Sequence, residues 1–232
     1  MLLIFLRNFH GLCGVNLYMP IKTEMKAKEI EILKNNGIDT LYRLILRYVP
    51  ISDDEWKYCE SKFSSSYFPK KTMLLDQNEV CDKIFFIASG LLRIYFSDER
   101  GEEKIFYFCM EDTFATDYES FLKNVPSNFS IQALEDSVVI IITLEMLQSL
   151  YATLRNGEKL GRLITEDYFF MLNEKIMAFY MHSPMERYKA MNIQFPGLIQ
   201  RVPQYYIASY LNISPVHLSR LKYTLKKKHP NG

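Results

Sequence analysis

Apolar and polar positions recur with different periods along the chain and divide it into a helical start, a strand-rich middle and a helical end. Residues 24–48 and 52–63 have the spacing of helices, and Ser52 and Glu55 stand where a capping box would open the second one. Over residues 67–142, short alternating or apolar runs separated by turn signals predict an antiparallel sandwich, roll or barrel. The clearest of these runs are residues 84–88, 91–96, 105–109 and 137–143.

A helical period returns after Leu150 and continues to Met181, which predicts one long helix. This helix is apolar on two sides, and both sides must be covered. We expect one side to pack on the strand-rich domain and the other on the same helix of a second subunit. The alternative is that this chain covers both sides. Ser183 and Pro184 end the long helix, and residues 184–194 form a short one. The first apolar stripe contains Tyr168, Phe169, Leu172, Ile176, Phe179 and Tyr180, and the second contains Leu160, Leu163, Ile164, Phe170, Met171, Met177 and Met181.

Residues 201–222 read RVPQYYIASYLNISPVHLSRLK, in which two short amphipathic segments meet at Asn212. Asparagine tolerates the left-handed backbone conformation that a tight turn between helices needs. Ser214 and Pro215 then supply an N-cap and a proline at the first helical position. This pattern is typical of a helix-turn-helix, whose second helix enters the major groove of DNA.

Charge is distributed unevenly along the chain. Residues 201–232 contain six Lys or Arg and no Asp or Glu, whereas residues 1–200 contain 22 basic and 27 acidic residues. A concentrated basic end on an acidic protein favours contact with phosphate. Taken alone, the three lysines at 226–228 would read as a solvated helix end, but beside a helix-turn-helix they favour DNA binding.

The chain lacks the cysteine, histidine and glycine patterns that several classes of metal-binding, disulfide-bonded and catalytic proteins require. The four cysteines are widely spaced, which argues against a zinc ribbon, a disulfide framework and an iron–sulfur cluster. No histidine occurs between His10 and His182, so a metal enzyme or a haem site inside the strand-rich domain is not expected. The sequence also lacks a P-loop, a G-x-G-x-x-G segment and a Ser-His-Asp arrangement. We therefore expect a protein that is not an enzyme and has no cofactor or metal, located in the cytoplasm.

The N-terminal segment MLLIFLRNFHGLCGVNLYMP is apolar but is interrupted by Arg7 and His10, and it is too short to span a bilayer. We expect no membrane association. Residues 1–24 are interpreted either as the product of a misassigned start, with the working protein beginning near Met25, or as an N-terminal arm.

The order of these elements resembles that of the Crp/Fnr family of bacterial transcription regulators. Two segments carry the resemblance further, RVPQYYIASYLNISPVHLSR and YFPKKTMLLDQNEVCDKIFFIASGLLRIYF, the second with its turn glycine Gly90. The resemblance covers roughly residues 45–228. It implies an α+β fold with a cyclic-nucleotide-binding-like β-roll (a double-stranded β-helix), a long dimerisation helix and a C-terminal winged-helix-like helix-turn-helix. The corresponding domains are residues 25–154 for the roll with its preceding helices, 155–182 for the long helix and 183–232 for the DNA-binding unit.

The resemblance also implies partners and site residues. The partners would be double-stranded DNA with a near-palindromic operator, a second copy of the chain and RNA polymerase. Arg220 stands at the position of a base contact, while Val216 and His217 replace the Glu and Thr of many relatives, so operator preference should differ. Contacts to phosphate or bases are expected from Gln204, Tyr205, Ser214, Ser219, Lys222, Lys226 and Lys227, with Ser214 alternatively serving only as the N-cap.

The sensory end departs from the family's cyclic-nucleotide-binding members, which carry a Gly-Glu pair and, further on, an Arg followed by Ser or Thr. Here Ala115-Thr116 stands in place of Gly-Glu, and residues 127–130 contain no Arg. Lys123 is the one basic residue between Glu111 and Glu135. A phosphate without a bidentate partner is disfavoured, so we expect no response to cyclic AMP and an unknown effector, if there is one. The alternative function is a β-roll sensor of small molecules or proteins with degenerate DNA binding.

Overall fold

The computed structural model describes residues 27–228 of the 232-residue chain, apart from the side chains of residues 226–228. Two helices come first, α1 (Ala27–Tyr48) and α2 (Asp53–Lys62). Ser52 and Glu55 form the predicted capping box at the start of α2, each side chain bonding the backbone N–H of the other. The sequence-based interpretation of residues 1–24 lies outside the described residues.

The strand-rich middle is a roll of two four-stranded antiparallel sheets, as predicted. Its strands are β1 (Ser64–Phe68), β2 (Met73–Leu75), β3 (Lys83–Ser89), β4 (Leu92–Ser97), β5 (Glu103–Cys109), β6 (Phe114–Ala115), β7 (Ser130–Ala133) and β8 (Ser137–Thr143). One sheet has the order β1-β8-β3-β6 and the other β2-β7-β4-β5. Helix α3 (Tyr118–Lys123) follows β6, and α4 (Leu144–Thr153) follows β8.

The turn between β3 and β4 needs the glycine that the sequence places there. Gly90 has φ +106°, and a Cβ atom on it would lie 2.2 Å from the Ser137 Oγ and 2.8 Å from the Asp136 carbonyl oxygen. A side chain at this position would be strained by its backbone conformation and would also clash with the neighbouring β7–β8 turn.

The long helix α5 (Gly157–Met181) lies against the roll. The Tyr168 hydroxyl accepts a hydrogen bond from the Phe114 N–H (2.9 Å) and donates to the Phe114 carbonyl (3.0 Å), and the Tyr48 hydroxyl donates to Asp167 at 2.7 Å. The packed side of α5 is therefore partly polar, and each predicted apolar stripe is divided between packed and exposed positions. The exposed apolar side chains are Phe169, Phe170, Ile176, Met177, Phe179, Tyr180 and Met181.

The C-terminal unit consists of helices α6 (Pro184–Gln194), α7 (Leu198–Arg201), α8 (Gln204–Tyr210) and α9 (Pro215–Lys228). Its residues 184–228 contain no strand. Ser183 and Glu186 form a capping box at the start of α6, in the place where the sequence predicted the break after the long helix. Buried side chains of this unit and of the roll belong to one continuous apolar core.

Within residues 27–228, every helix is too short or too polar to cross a lipid bilayer.

Candidate nucleic-acid interface

The helix-turn-helix is built as the sequence predicts. Asn212 has φ +53° and lies in the left-handed region between α8 and α9. The turn is closed by hydrogen bonds from the Asn212 N–H to the Ser209 carbonyl and from the Ile213 N–H to the Ala208 carbonyl, each 3.0 Å. Ile207, Ala208, Leu211 and Leu218 are buried between the helices, so their crossing is held by apolar packing.

The N-terminus of α9 carries the predicted cap. The Ser214 Oγ accepts a hydrogen bond from the His217 N–H at 3.2 Å, and Pro215 is the first residue of the helix. Ser214 therefore serves as the N-cap, one of the two roles open for it from the sequence. Because the cap and the buried Leu218 fix the start of α9, its outward residues are held in a defined orientation.

Four of the predicted contact residues lie together on the outward face of α9. Val216, His217, Ser219 and Arg220 are all exposed, Val216 by 62%, while Leu218 between them is buried. Within the described residues, the Arg220 guanidinium takes part in no ion pair. This face combines a cation, an imidazole, a hydroxyl and an apolar branched side chain within two helical turns.

The other predicted residues extend this face towards α8. The Lys222 Nζ donates a hydrogen bond to the Gln204 Oε1 at 2.8 Å, which joins the two helices. Tyr205 is 55% exposed and lies against Tyr206, with 4.3 Å between ring centroids. A surface cavity of about 320 Å³ is lined by Gln204, Pro215, Leu218, Ser219, Lys222 and Tyr223. The predicted contacts of Lys226 and Lys227 lie outside the described side chains.

Arg201 does not belong to this cationic surface, although the sequence groups it with the basic C-terminal end. Its side chain is 8% exposed and lies between Glu111 and Glu135 of the roll, with N–O distances of 2.8 and 2.7 Å. These carboxylates raise the pKa of the guanidinium further above its ordinary value, despite its burial. Both partners are remote in sequence, so no local signal could have identified the ion pairs.

Lys175 is a second residue that sequence reasoning missed. It lies on the packed side of α5, where its Nζ is 4.4 Å from the centroid of the Phe106 ring and 4.6 Å from that of the Tyr210 ring. The Tyr107 ring is 5.7 Å away. Burial lowers the pKa of this lysine to about 7. One amine of the long helix thus contacts both the roll and α8.

In the roll, the segment that departs from the cyclic-nucleotide pattern satisfies its own polar groups. The Asp117 carboxylate accepts hydrogen bonds from the Ser127 Oγ at 2.7 Å and from the Ser120 N–H at 3.3 Å, so that it caps α3. All three residues are buried. The Asp117 carboxylate is thus held by contacts within the roll, and none of these three residues carries a positive charge.

Comparison with known proteins adds to these observations. The family model for the cyclic nucleotide-binding domain matches residues 66–154. No curated protein matches the sequence.

Solved structures share the fold at low sequence identity. FixK2 from Bradyrhizobium japonicum is 13% identical, with a TM-score of 0.62 over 72% of this chain and 85% of its own. A protein described as a transcriptional regulator of the Crp/Fnr family from Eubacterium rectale is 14% identical, with a TM-score of 0.59 over 78% and 88%. The c-di-GMP-responsive regulator CLP of Xanthomonas campestris is 12% identical, with a TM-score of 0.58 over 76% and 93%. The match over residues 66–154 and the shared fold of these solved structures confirm, at the level of the fold, the resemblance to the Crp/Fnr family seen in the sequence.

Proposed function

We propose that the protein is a homodimeric, sequence-specific DNA-binding transcription regulator in which α9 enters the major groove. The observation that carries this proposal is the outward face of α9, where Val216, His217 and Arg220 project into solvent above the buried Leu218. No Asp or Glu occurs from Arg201 to the C-terminus, so nothing on this segment repels phosphate. Such a helix has the size and the charge that the major groove accepts.

Each residue of the interface has a role that follows from its chemistry. Arg220 presents two parallel donors that match O6 and N7 of guanine, and Val216 offers an apolar contact to the methyl group of thymine. His217 can donate to a base or to phosphate. Gln204, Tyr205, Ser219 and Lys222 lie beside the base-reading residues and contact the phosphate backbone, which orients the protein without reading sequence. Lys226 and Lys227 add affinity that depends on salt and not on sequence.

Replacing Arg220 by alanine is expected to remove discrimination at one operator position and to leave the others intact. A bidentate contact contributes about 1–3 kcal/mol of discrimination, so preference for the correct base should fall by about 5-fold to 150-fold. The measurement is selection of bound duplexes from a random pool, followed by titration of single-base variants of the selected site. Lys222→Ala is the matched control, because loss of a phosphate contact should weaken binding to all sequences alike and reduce the salt slope by about 1. Unchanged discrimination in Arg220→Ala would refute the base contact.

A second subunit is the partner that we assign to the exposed side of α5. Phe169 and Ile176 lie seven residues apart there, as do Phe170 and Met177. Tyr180 follows Ile176 by four residues and Met177 by three, so the set has the heptad spacing of a two-helix seam. A two-fold dimer built on this seam presents two copies of α9 to a near-palindromic operator, with half-sites about 34–36 Å apart. A regulator of this kind acts in the cytoplasm with RNA polymerase as its further partner.

The cyclic nucleotide-binding domain is expected not to bind cyclic AMP, because Asp117 and Ser127 hydrogen-bond to each other where that ligand needs an arginine. Isothermal titration calorimetry of the purified protein should give no saturable heat with up to about 1 mM cyclic AMP. A dissociation constant of about 1 mM corresponds to a binding free energy of only about 4 kcal/mol, so even weak binding would be detected. A cyclic-AMP-binding regulator titrated in the same buffer is the control. A micromolar dissociation constant would overturn this part of the proposal.

A further inference from the structure

The DNA-reading head, defined here as residues 194–225, is fastened to the roll of its own chain. The contacts are made by α7, by α8 and by Gln194 and Phe195 before them, whereas the outward face of α9 is exposed. Val216, His217, Ser219 and Arg220 stay exposed in this arrangement. Docking therefore leaves the base-reading surface accessible.

The strongest polar contact is made by Arg201 at the end of α7. Its Nη1 and Nη2 donate to the two carboxylate oxygens of Glu111 at 2.9 and 2.8 Å. Its Nε and Nη2 also donate to the oxygens of Glu135 at 3.1 and 2.7 Å. A planar guanidinium held in two bidentate pairs has little freedom to rotate. Because Glu111 follows β5 and Glu135 follows β7, one side chain ties the head to two separate turns of the roll.

An aromatic contact holds the head at a second place. Phe195, which leads into α7, packs edge-on against Tyr107 and Tyr210 with ring centroids 5.4 and 5.6 Å apart, and it lies 6.1 Å from Phe108. The Gln194 Nε2 donates to the Tyr107 hydroxyl at 2.9 Å. Phe195 is buried, so rotation of the head would expose this cluster to water.

A third contact lies on the free edge of strand β5. The Ile105 N–H donates to the Ser209 Oγ of α8 at 2.9 Å. Strand β5 is the last strand of its sheet, so α8 supplies an acceptor that a further strand would otherwise provide. The Arg93 guanidinium, which is ion-paired to Glu103 at the start of β5, stacks on the Tyr206 ring at 4.5 Å.

We propose that Arg201, Glu111 and Glu135 are positioning residues that hold the head in one orientation on the roll and thereby set the spacing of the half-sites that the dimer accepts. This inference rests on the proposed function, because it assumes a DNA-binding dimer. Contacts to Glu111 and Glu135, to the Tyr107 and Phe108 rings and to the Ile105 N–H together resist rotation of the head. The roll also carries the long helix that sets where the second subunit lies. A fixed head finds both half-sites only at one separation, whereas a loosened head tolerates several.

The test compares the wild type with the double variant Glu111→Gln/Glu135→Gln on three duplexes. They are a palindrome selected from a random pool, the same palindrome with two base pairs inserted between its half-sites, and one isolated half-site. The insertion turns the half-sites by about 70° and separates them by about 7 Å more. In the double variant, the preference for the uninserted palindrome over the inserted one should fall at least tenfold, which corresponds to about 1.4 kcal/mol. The affinity for the isolated half-site should equal that of the charge-matched control described next.

The matched control is Glu60→Gln/Glu119→Gln, which removes the same two negative charges from exposed positions on α2 and α3. It corrects for the general rise in DNA affinity when carboxylates are lost. Glu135→Gln alone is the milder variant and decides the question if thermal unfolding shows that the double variant is not folded.

The outcomes separate the two proposals. If the folded variants bind the half-site and retain the wild-type spacing preference, the positioning role of these residues is wrong and the DNA-binding function stands. If the wild type binds neither the palindrome nor the half-site above random duplex, the proposed function fails and this inference fails with it. A spacing preference that also falls in the charge-matched control would assign the effect to net charge and would overturn the inference.

Discussion

Placing glutamate at both Phe170 and Tyr180 is expected to make the protein monomeric and to lower its affinity for a full palindrome by about 10²–10⁴-fold. These side chains are 57% and 83% exposed on the same side of α5, so the substitution should not disturb the folded subunit. Four carboxylates would then face one another in a dimer seam from which water is excluded, and such charges cannot be buried without partners. Loss of the second subunit removes the avidity that links two half-site contacts.

Sedimentation velocity and titration of the selected palindrome measure the two effects on the same samples. Ile32→Glu/Leu122→Glu is the control, because these apolar side chains are also exposed, at 51% and 47%, but lie on α1 and α3. The control should remain dimeric and keep its affinity. A dimeric Phe170→Glu/Tyr180→Glu protein would contradict the assigned seam, and a monomer with undiminished affinity for the palindrome would contradict the need for two heads.

The same seam shows what helical periodicity can and cannot predict. The pattern correctly predicted a long helix that is apolar on more than one side, but each predicted stripe is divided between packed and exposed positions. Lys175 and the Tyr168 hydroxyl occupy packed positions, because three aromatic rings surround the amine and the Phe114 backbone bonds the hydroxyl. An argument from periodicity alone assigns polar residues to the exposed side of a helix. It therefore cannot recognise a packed side whose polar groups have hydrogen-bond or aromatic partners elsewhere in the fold.

Features fixed by local backbone chemistry were predicted well. The left-handed turn at Asn212, the capping box of Ser52 and Glu55 and the glycine turn at Gly90 each depend on residues within a few positions of one another. The strand-rich region was predicted to begin at residue 67, but its first strand β1 begins at Ser64, because the serines before Tyr67 pair with the apolar strand β8 at the edge of the sheet. An edge strand needs only one apolar side, so its sequence signal is weak.

The exposure of the candidate residues on α9 was predicted correctly, but the setting of the head that carries them was not. Val216, His217, Ser219 and Arg220 lie on one exposed face, as the helix-turn-helix pattern requires. The attachment of the head to the roll was not predictable, because Arg201 is separated from Glu111 by 90 residues and from Glu135 by 66. Counting charges along the chain placed this arginine in the basic end that favours phosphate, whereas in the fold it joins the head to the roll.

Replacing Lys175 by methionine is expected to stabilise the protein at pH 7 and to remove a rise in stability between about pH 7 and pH 10. Burial lowers the pKa of Lys175 to about 7 in the folded protein, whereas an exposed lysine in the unfolded chain has a pKa of about 10.4. Below pH 7 the amine is charged in both states, and the cost of burying that charge acts in full. Between the two pKa values the unfolded state binds one more proton, so the free energy of unfolding rises by up to about 1.4 kcal/mol per pH unit.

In the folded protein the other titratable groups around the amine keep their protons in this window. Cysteines of the unfolded chain titrate at about pH 8.5 in the wild type and in the variant alike, so the difference between the two slopes reports Lys175. Burial raises the pKa of the Cys109 thiol to about 12 and the pKa values of Tyr107, Tyr168 and Tyr210 above their ordinary range. Urea unfolding curves recorded from pH 6 to pH 10 measure the slope for the wild type, for Lys175→Met and for Lys159→Met, an exposed control on the same helix. Methionine fills a similar volume beside the same rings, and so the variant should differ from the wild type chiefly in charge. Equal slopes in the wild type and in Lys175→Met would show that this amine is not the group that makes the junction of α5, the roll and α8 sensitive to pH.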